Sequence, residues 1–73
     1  MERALLSIAG FDPSGGAGIL LDMQVFRKMG FAGMAIPTAD TVQNTSAVKD
    51  VQPHTKDLLQ RQYQILTEEV SFS

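Results

Sequence analysis

The stretch that most constrains this chain is the junction at residues 4–18. There an apolar run, Ala4-Leu5-Leu6-Ser7-Ile8-Ala9, passes directly into Gly10-Phe11-Asp12-Pro13-Ser14-Gly15-Gly16-Ala17-Gly18. An apolar run of that length, stopped by turn residues, fits a strand buried on both faces, as in a parallel sheet. The block behind it is dense in residues that punctuate regular structure. Next come Ile19, Leu20, Met23, Phe26 and Met29 at helical spacing, with Asp22, Gln24, Arg27 and Lys28 mostly between them. That pattern predicts an amphipathic helix of about three and a half turns. Gly30 stands where a helix C-terminal glycine belongs, and Arg27 and Lys28 suit the negative end of the helix dipole.

Farther along, Gly33-Met34-Ala35-Ile36 reads as a second short strand, broken by Pro37. Thr38 to Ser46 is polar and reads as a loop, and Val48-Lys49-Asp50-Val51 as a brief strand closed by Pro53. From Thr55 the pattern turns helical again, with Leu58, Leu59, Gln62, Tyr63, Leu66 and Val70 on one stripe. Thr55 is the expected N-cap, and Asp57 suits the first turn. Alternation of this kind predicts an α/β protein with a largely parallel sheet. Val70-Ser71-Phe72-Ser73 is a stub where a following strand belongs, so the chain reads as cut off.

Composition narrows the function classes. With 73 residues the chain makes one small domain at most, and a chain this short buries only about 60% of its unfolded surface. Small domains compensate with disulfides, a metal or more protein. Cysteine is absent and His54 is the lone histidine, so neither a disulfide nor a structural zinc site is expected. The net charge of −2 comes from scattered charges without a basic stripe, so a nucleic-acid partner is not expected. No uncharged run approaches the roughly 20 residues of a membrane span. Glu2-Arg3 is not followed by the apolar core and cleavage site of a secretion signal. The expected location is the cytoplasm.

A glycine-dense turn between strand and helix is a usual sign of backbone brought close to a ligand, with helix N-terminal N–H groups exposed to it. The specific phosphate-binding versions are not met. Gly18 is followed by Ile19-Leu20 rather than by the Lys and Ser or Thr of a Walker A loop. Leu21 stands where the third glycine of G-x-G-x-x-G belongs. Spacing alone leaves two readings open, a tight turn with close helix packing and a ligand site.

The residues themselves resemble a known family. Ala9-Gly10-Phe11-Asp12-Pro13-Ser14-Gly15-Gly16-Ala17-Gly18-Ile19 is similar to the A-G-[ST]-D-P-S-G-G-A-G-I signature that opens the hydroxymethylpyrimidine/phosphomethylpyrimidine kinases, and Asp22 keeps the aspartate of the Q-A-D that follows it. Thr38-Ala39-Asp40-Thr41-Val42-Gln43-Asn44-Thr45 resembles the family's T-A-L-T-A-[QE]-N-T, at a matching distance. Three places depart from the pattern: Phe11 replaces a small hydroxyl residue, Leu20-Leu21 replaces Gln-Ala, and Asp40 replaces an apolar residue. Phe11 and Asp40 fall beside the expected pocket, where they bear on its shape and charge.

The resemblance implies a ribokinase-like fold, of which residues 1–73 are a βαβ(β)α N-terminal, substrate-side portion, the C-terminal ATP-binding half being missing. It implies an ATP- and Mg²⁺-dependent kinase of thiamine biosynthesis that phosphorylates an aminopyrimidine alcohol and then its monophosphate. By motif position, Gly10 and Ala17 would line the pyrimidine pocket and Asp22 would face the polar edge or hydroxymethyl group. Gln43 would hydrogen-bond the aminopyrimidine, with Thr41 and Val42 flanking it; an amide offers both a donor and an acceptor to such a ring. The resemblance places no catalytic, cofactor-binding or metal-binding residue in this chain, and the isolated chain is expected to be inactive.

Plainer readings stay open beside these. Asp22 suits a helix dipole, Gln43 is a loop amide, Asp12 before Pro13 is a turn or capping residue, and His54 is a solvated residue without chemistry. At the level of the whole chain, the alternatives are a non-catalytic small-molecule-binding or self-associating α/β module and a portion of a related pyridoxal-type kinase. Uncovered sheet faces would favour self-association, such as a homo-oligomer.

Overall fold

The computed structural model describes residues 3–72. The elements run β1 (Ala4–Phe11), α1 (Gly18–Lys28), β2 (Ala32–Gln43), β3 (Val48–Pro53) and α2 (Lys56–Glu69). The sheet order is β1-β2-β3. β1 and β2 are parallel, with Ala4 opposite Ala32, Ser7 opposite Ala35 and Ile8 opposite Ile36. α1 is the crossover between them, the connection that parallel neighbours require.

β2 and β3 are antiparallel, with Thr41 opposite Val51. The sheet is therefore mixed, which corrects the expectation of a mostly parallel one. The reason is local. Residues 44–47 are too short for a crossover and instead form a tight turn, in which Asn44 Oδ1 accepts the N–H groups of Ser46 (2.9 Å) and Ala47 (3.0 Å). A second correction follows from the same hairpin: residues 38–43, expected as loop, are the distal half of β2. Their β-branched Thr38, Thr41 and Val42 suit a strand, but β3 is exposed along its whole length, so the hairpin shows no apolar stripe. Pro37 does not break β2. It pairs with Ala9 at the point where the β1–β2 register shifts before Phe11 meets Asp40, a ladder irregularity that tolerates a residue without an N–H.

The two helices form as their sequences predict. α1 is three turns long and closes on Gly30, whose φ of +83° is the left-handed conformation that ends many helices. Phe31 N–H reaches back to Phe26 O (2.9 Å) and Gly30 N–H to Arg27 O (3.1 Å), the paired bonds of a Schellman ending. α2 is capped by Thr55, whose Oγ1 accepts the Leu58 N–H at 3.1 Å, with Asp57 in the first turn.

Gly33 of β2 lies directly against Met23 and Phe26 of α1. Ile36 lies toward α2, sharing a cavity of about 110 Å³ with Pro37, His54, Leu58, Leu59 and Gln62. Residues three apart on a strand face opposite sides, so the helices cover opposite faces of β2; they make no close contact with each other. The core is small: Ala4, Ile19, Ile36 and Val70 are the buried apolar residues among those described. Ile8, opposite Ile36 on β1, stays 53% exposed because α2 lies over β2 alone. The stub after α2 returns to the sheet, where Phe72 bridges Ala4 in parallel on the edge of β1 away from β2; Ser73 lies outside the described residues.

Candidate functional site

The glycine loop leaves the carboxyl end of β1, the end of a parallel pair where α/β sheets place ligands. Its path is set by close backbone approach. Gly18, at φ +66°, sits so near the Gly10 carbonyl oxygen that no Cβ fits between them, and Phe11 bridges Gly18 in antiparallel fashion. The first bend is a turn with Asp12 at its start and Pro13 next, closed by Gly15 N–H to Asp12 O at 3.1 Å, positions that suit these residues.

Asp12 does more than start the turn. It is 6% exposed, and its Oδ1 accepts from Ser14 Oγ (2.6 Å) and Ser14 N–H (2.8 Å). The Ser14 hydroxyl, joined by the backbone amides of Ser14, Gly16 and Ala17, holds the Asp12 carboxyl below the usual carboxylate range against the opposing effect of burial. Ala17, the N-cap of α1, offers no side-chain cap of its own.

Each predicted site residue has a definite place. Gly10 ends the regular part of β1, with open space where a side chain would stand. Ala17 is exposed at the start of α1. Thr41 joins the two motifs, its Oγ1 donating to Phe11 O at 2.9 Å. Asp22 lies beyond the first turn of α1, which holds no acidic residue, so the dipole is not its partner. Its Oδ2 instead accepts from Ser7 Oγ at 2.7 Å.

Val42 (56% exposed) and the half-buried Gln43 lie at the tip of the β2–β3 hairpin. Among the described residues no side-chain hydrogen bond joins either of them to Gly10, Ala17 or Asp22. The structure thus brings Gly10, the loop and Thr41 together, sets Asp22 behind them on Ser7, and leaves Val42 and Gln43 at the rim.

Two polar residues were not singled out from sequence. Ser7, 4% exposed on β1, is the anchor of Asp22; a lone hydroxyl in an apolar strand run was the available signal. His54, read as solvated, is held between two acceptors, with Nδ1 2.9 Å from Pro37 O and Nε2 3.1 Å from Asp40 Oδ2. Both acceptors are satisfied only when both ring nitrogens carry protons. The Asp40 hydrogen bond, helped by Pro37 O, accordingly raises the His54 pKa above its ordinary value despite partial desolvation. Asp40, placed by sequence beside the pocket, directs its carboxylate to this histidine.

Neither a metal nor a nucleotide phosphate suits the described residues. They contain no group of three or more His, Asp or Glu side chains placed to hold a metal ion. The glycine loop has no lysine, and its one acid is already bonded within the loop. No helix among the described residues is long and apolar enough to cross a membrane.

With this geometry in view, the comparisons with known proteins are direct. The phosphomethylpyrimidine kinase family profile matches residues 12–73. The hydroxymethylpyrimidine/phosphomethylpyrimidine kinase of Aquifex aeolicus is 45% identical over 64 residues, which are 88% of this chain and 25% of that protein. The crystal structure of phosphomethylpyrimidine kinase from Clostridium difficile superposes with a TM-score of 0.91 at 38% identity, over 97% of this chain and 31% of that one. The pyridoxal kinase of Staphylococcus aureus in complex with AMP-PCP and pyridoxal superposes with a TM-score of 0.79 at 29% identity, over 93% of this chain and 26% of that one. The chain spans about a quarter of the length of the curated relatives it matches.

Proposed function

Because the chain belongs to the phosphomethylpyrimidine kinase family, we propose that it forms the substrate-facing, N-terminal part of a kinase that phosphorylates an aminopyrimidine alcohol. In this reading the full-length kinase transfers the γ-phosphoryl group of ATP to the hydroxymethyl group, and then phosphorylates the monophosphate, on the way to thiamine. Phosphoryl transfer relies on held phosphates, charge stabilisation and an aligned nucleophile. The described residues suit neither Mg²⁺ nor the nucleotide phosphates, so that machinery is assigned to the rest of the kinase and no step is routed through it here.

What this chain supplies is position. Gly10 and Ala17 offer an open backbone wall, and Thr41 pins the second motif to that wall through Phe11 O. Asp22, held on one oxygen by Ser7, keeps the other for the hydroxyl or amine edge of the ring. Gln43 reads the ring nitrogen and exocyclic amine from the rim, flanked by Val42. The observation that carries the reading is the family match across residues 12–73, with the loop at the carboxyl end of β1.

The half-exposed Ile8, Leu58, Tyr63 and Ile65 support burial of these faces against further protein, either the rest of the kinase or a second copy. The cytoplasm, where ATP is supplied, is the expected compartment. A pyridoxal-type substrate is the second reading, favoured by the superposition on the Staphylococcus aureus enzyme.

The test is a coupled ATP-consumption assay on the 73-residue chain and on the complete reading frame that contains it. The frame is expected to turn over hydroxymethylpyrimidine, and the chain alone to match the no-protein background. Turnover by the chain alone would overturn the division of labour. A frame that consumes ATP with pyridoxal but not with hydroxymethylpyrimidine would establish the second reading instead.

A further inference from the structure

The mechanism above leaves one buried charge unused, the Asp12 carboxylate inside the glycine loop. Its surroundings are those of a bound anion. Oδ1 takes two hydrogen bonds from Ser14, at 2.6 and 2.8 Å. Oδ2 lies beside Gly16, 3.6 Å from where a Cβ would stand on that residue, and the Gly16 and Ala17 amides act on the same carboxylate. Ala17 is also the N-cap of α1 and brings no side chain to the helix start. Amides converging ahead of a helix are the donors by which loops of this shape hold phosphate. Here those donors already face a negative charge carried by the chain itself.

We propose that Asp12 is a specificity-determining residue, the loop's built-in anion, which closes the glycine loop to phosphate and leaves it a wall for a neutral ring. Two consequences follow for the site, and they rest on the kinase reading. The loop takes the uncharged face of the heterocycle, against Gly10 and Ala17. Any phosphate, on the nucleotide or on a phosphorylated substrate, lies away from residues 12–17. The absence of a loop lysine agrees with this, since a buried carboxylate needs no second counter-charge when hydrogen bonds satisfy it.

The experiment is a titration with inorganic phosphate, followed through the backbone amide signals of Ser14, Gly16 and Ala17, in the wild type, in Asp12→Asn and in Asp12→Glu. Asp12→Asn keeps the side-chain volume and an acceptor for Ser14 while removing the charge. The expected result is no response in the wild type and in Asp12→Glu, and saturable shifts at Gly16 and Ala17 in Asp12→Asn. Saturable wild-type shifts at these amides overturn the proposal without any variant. A folded Asp12→Asn protein whose amides stay silent overturns it as well. Should Asp12→Asn not fold, the wild-type and Asp12→Glu titrations decide: silence in both supports the built-in anion, and a response in either refutes it. No turnover is measured, so failure of the kinase reading leaves this result standing, and the reverse also holds.

Discussion

Replacing Gly18 with alanine probes the contact that joins the end of β1 to the start of α1. Two penalties add at this position. A residue with a Cβ in the left-handed region costs roughly 1–2 kcal/mol, and Gly18 has φ +66°. The new Cβ would also collide with the Gly10 carbonyl oxygen and stand 3.2 Å from the Gly10 carbonyl carbon. Those are backbone atoms of a paired strand and cannot rotate aside, so the loop must move; forced overpacking of this kind costs about 1–3 kcal/mol more.

Gly30 provides the control. It has φ +83° but nothing within 4 Å of its would-be Cβ, so Gly30→Ala incurs the conformational cost alone. The expected losses are about 2–5 kcal/mol for Gly18→Ala and about 1–2 kcal/mol for Gly30→Ala. With a denaturant slope of roughly 1 kcal/mol per molar urea for a small domain, the two midpoints should differ by about 1–3 M. Urea unfolding of both variants, followed by far-UV circular dichroism, reads the difference. Equal midpoints would refute the close approach of Gly10 and Gly18, and with it the path assigned to the loop.

Three further outcomes are expected. Ser7→Ala leaves Asp22 Oδ2 without its donor and should lower stability by about 1–3 kcal/mol, with Ser7→Thr recovering most of it; thermal unfolding that does not distinguish alanine from wild type would show that this bond contributes nothing. The raised pKa of His54 means its bonds to Asp40 and Pro37 stabilise fully below the unfolded histidine value of about 6.5. That contribution is lost as pH rises through the higher folded value, so His54→Gln and Asp40→Asn should each flatten the urea midpoint across this range, and an equally steep profile in the variants would argue against the bridge. In the full-length kinase, Gln43→Leu should raise the KM for the aminopyrimidine and leave that for ATP unchanged; an unaltered aminopyrimidine KM would remove Gln43 from the site.

Much of this protein is legible in local pattern. The β1 run, the 3.6-residue periodicity of α1, the Gly30 ending and the Thr55 cap are interactions between near neighbours, and they form where residue spacing and side-chain type place them. The two motifs were readable for a related reason, since the turn at Asp12 and the close approach at Gly18 admit few other residues.

The hairpin was not legible. Residues 38–43 are polar, and their partner strand β3 is exposed throughout, so no apolar alternation marks them. They become a strand because the four-residue Asn44 turn folds β3 back against them. His54 was missed with them, since it reaches Asp40 and Pro37 only through that hairpin register. Ser7 and Asp22, fifteen residues apart, meet only when α1 packs on β1.

By itself, then, the sequence determined the order of strand, glycine loop and helix, and the family to which these motifs belong. Tertiary structure alone decided that the sheet is mixed, that Asp22 has its partner on β1, and that Asp12 turns into its own loop. Contacts between neighbours along the chain are written in spacing and residue type. A contact across a sheet or between layers depends on register and packing, which no local segment specifies.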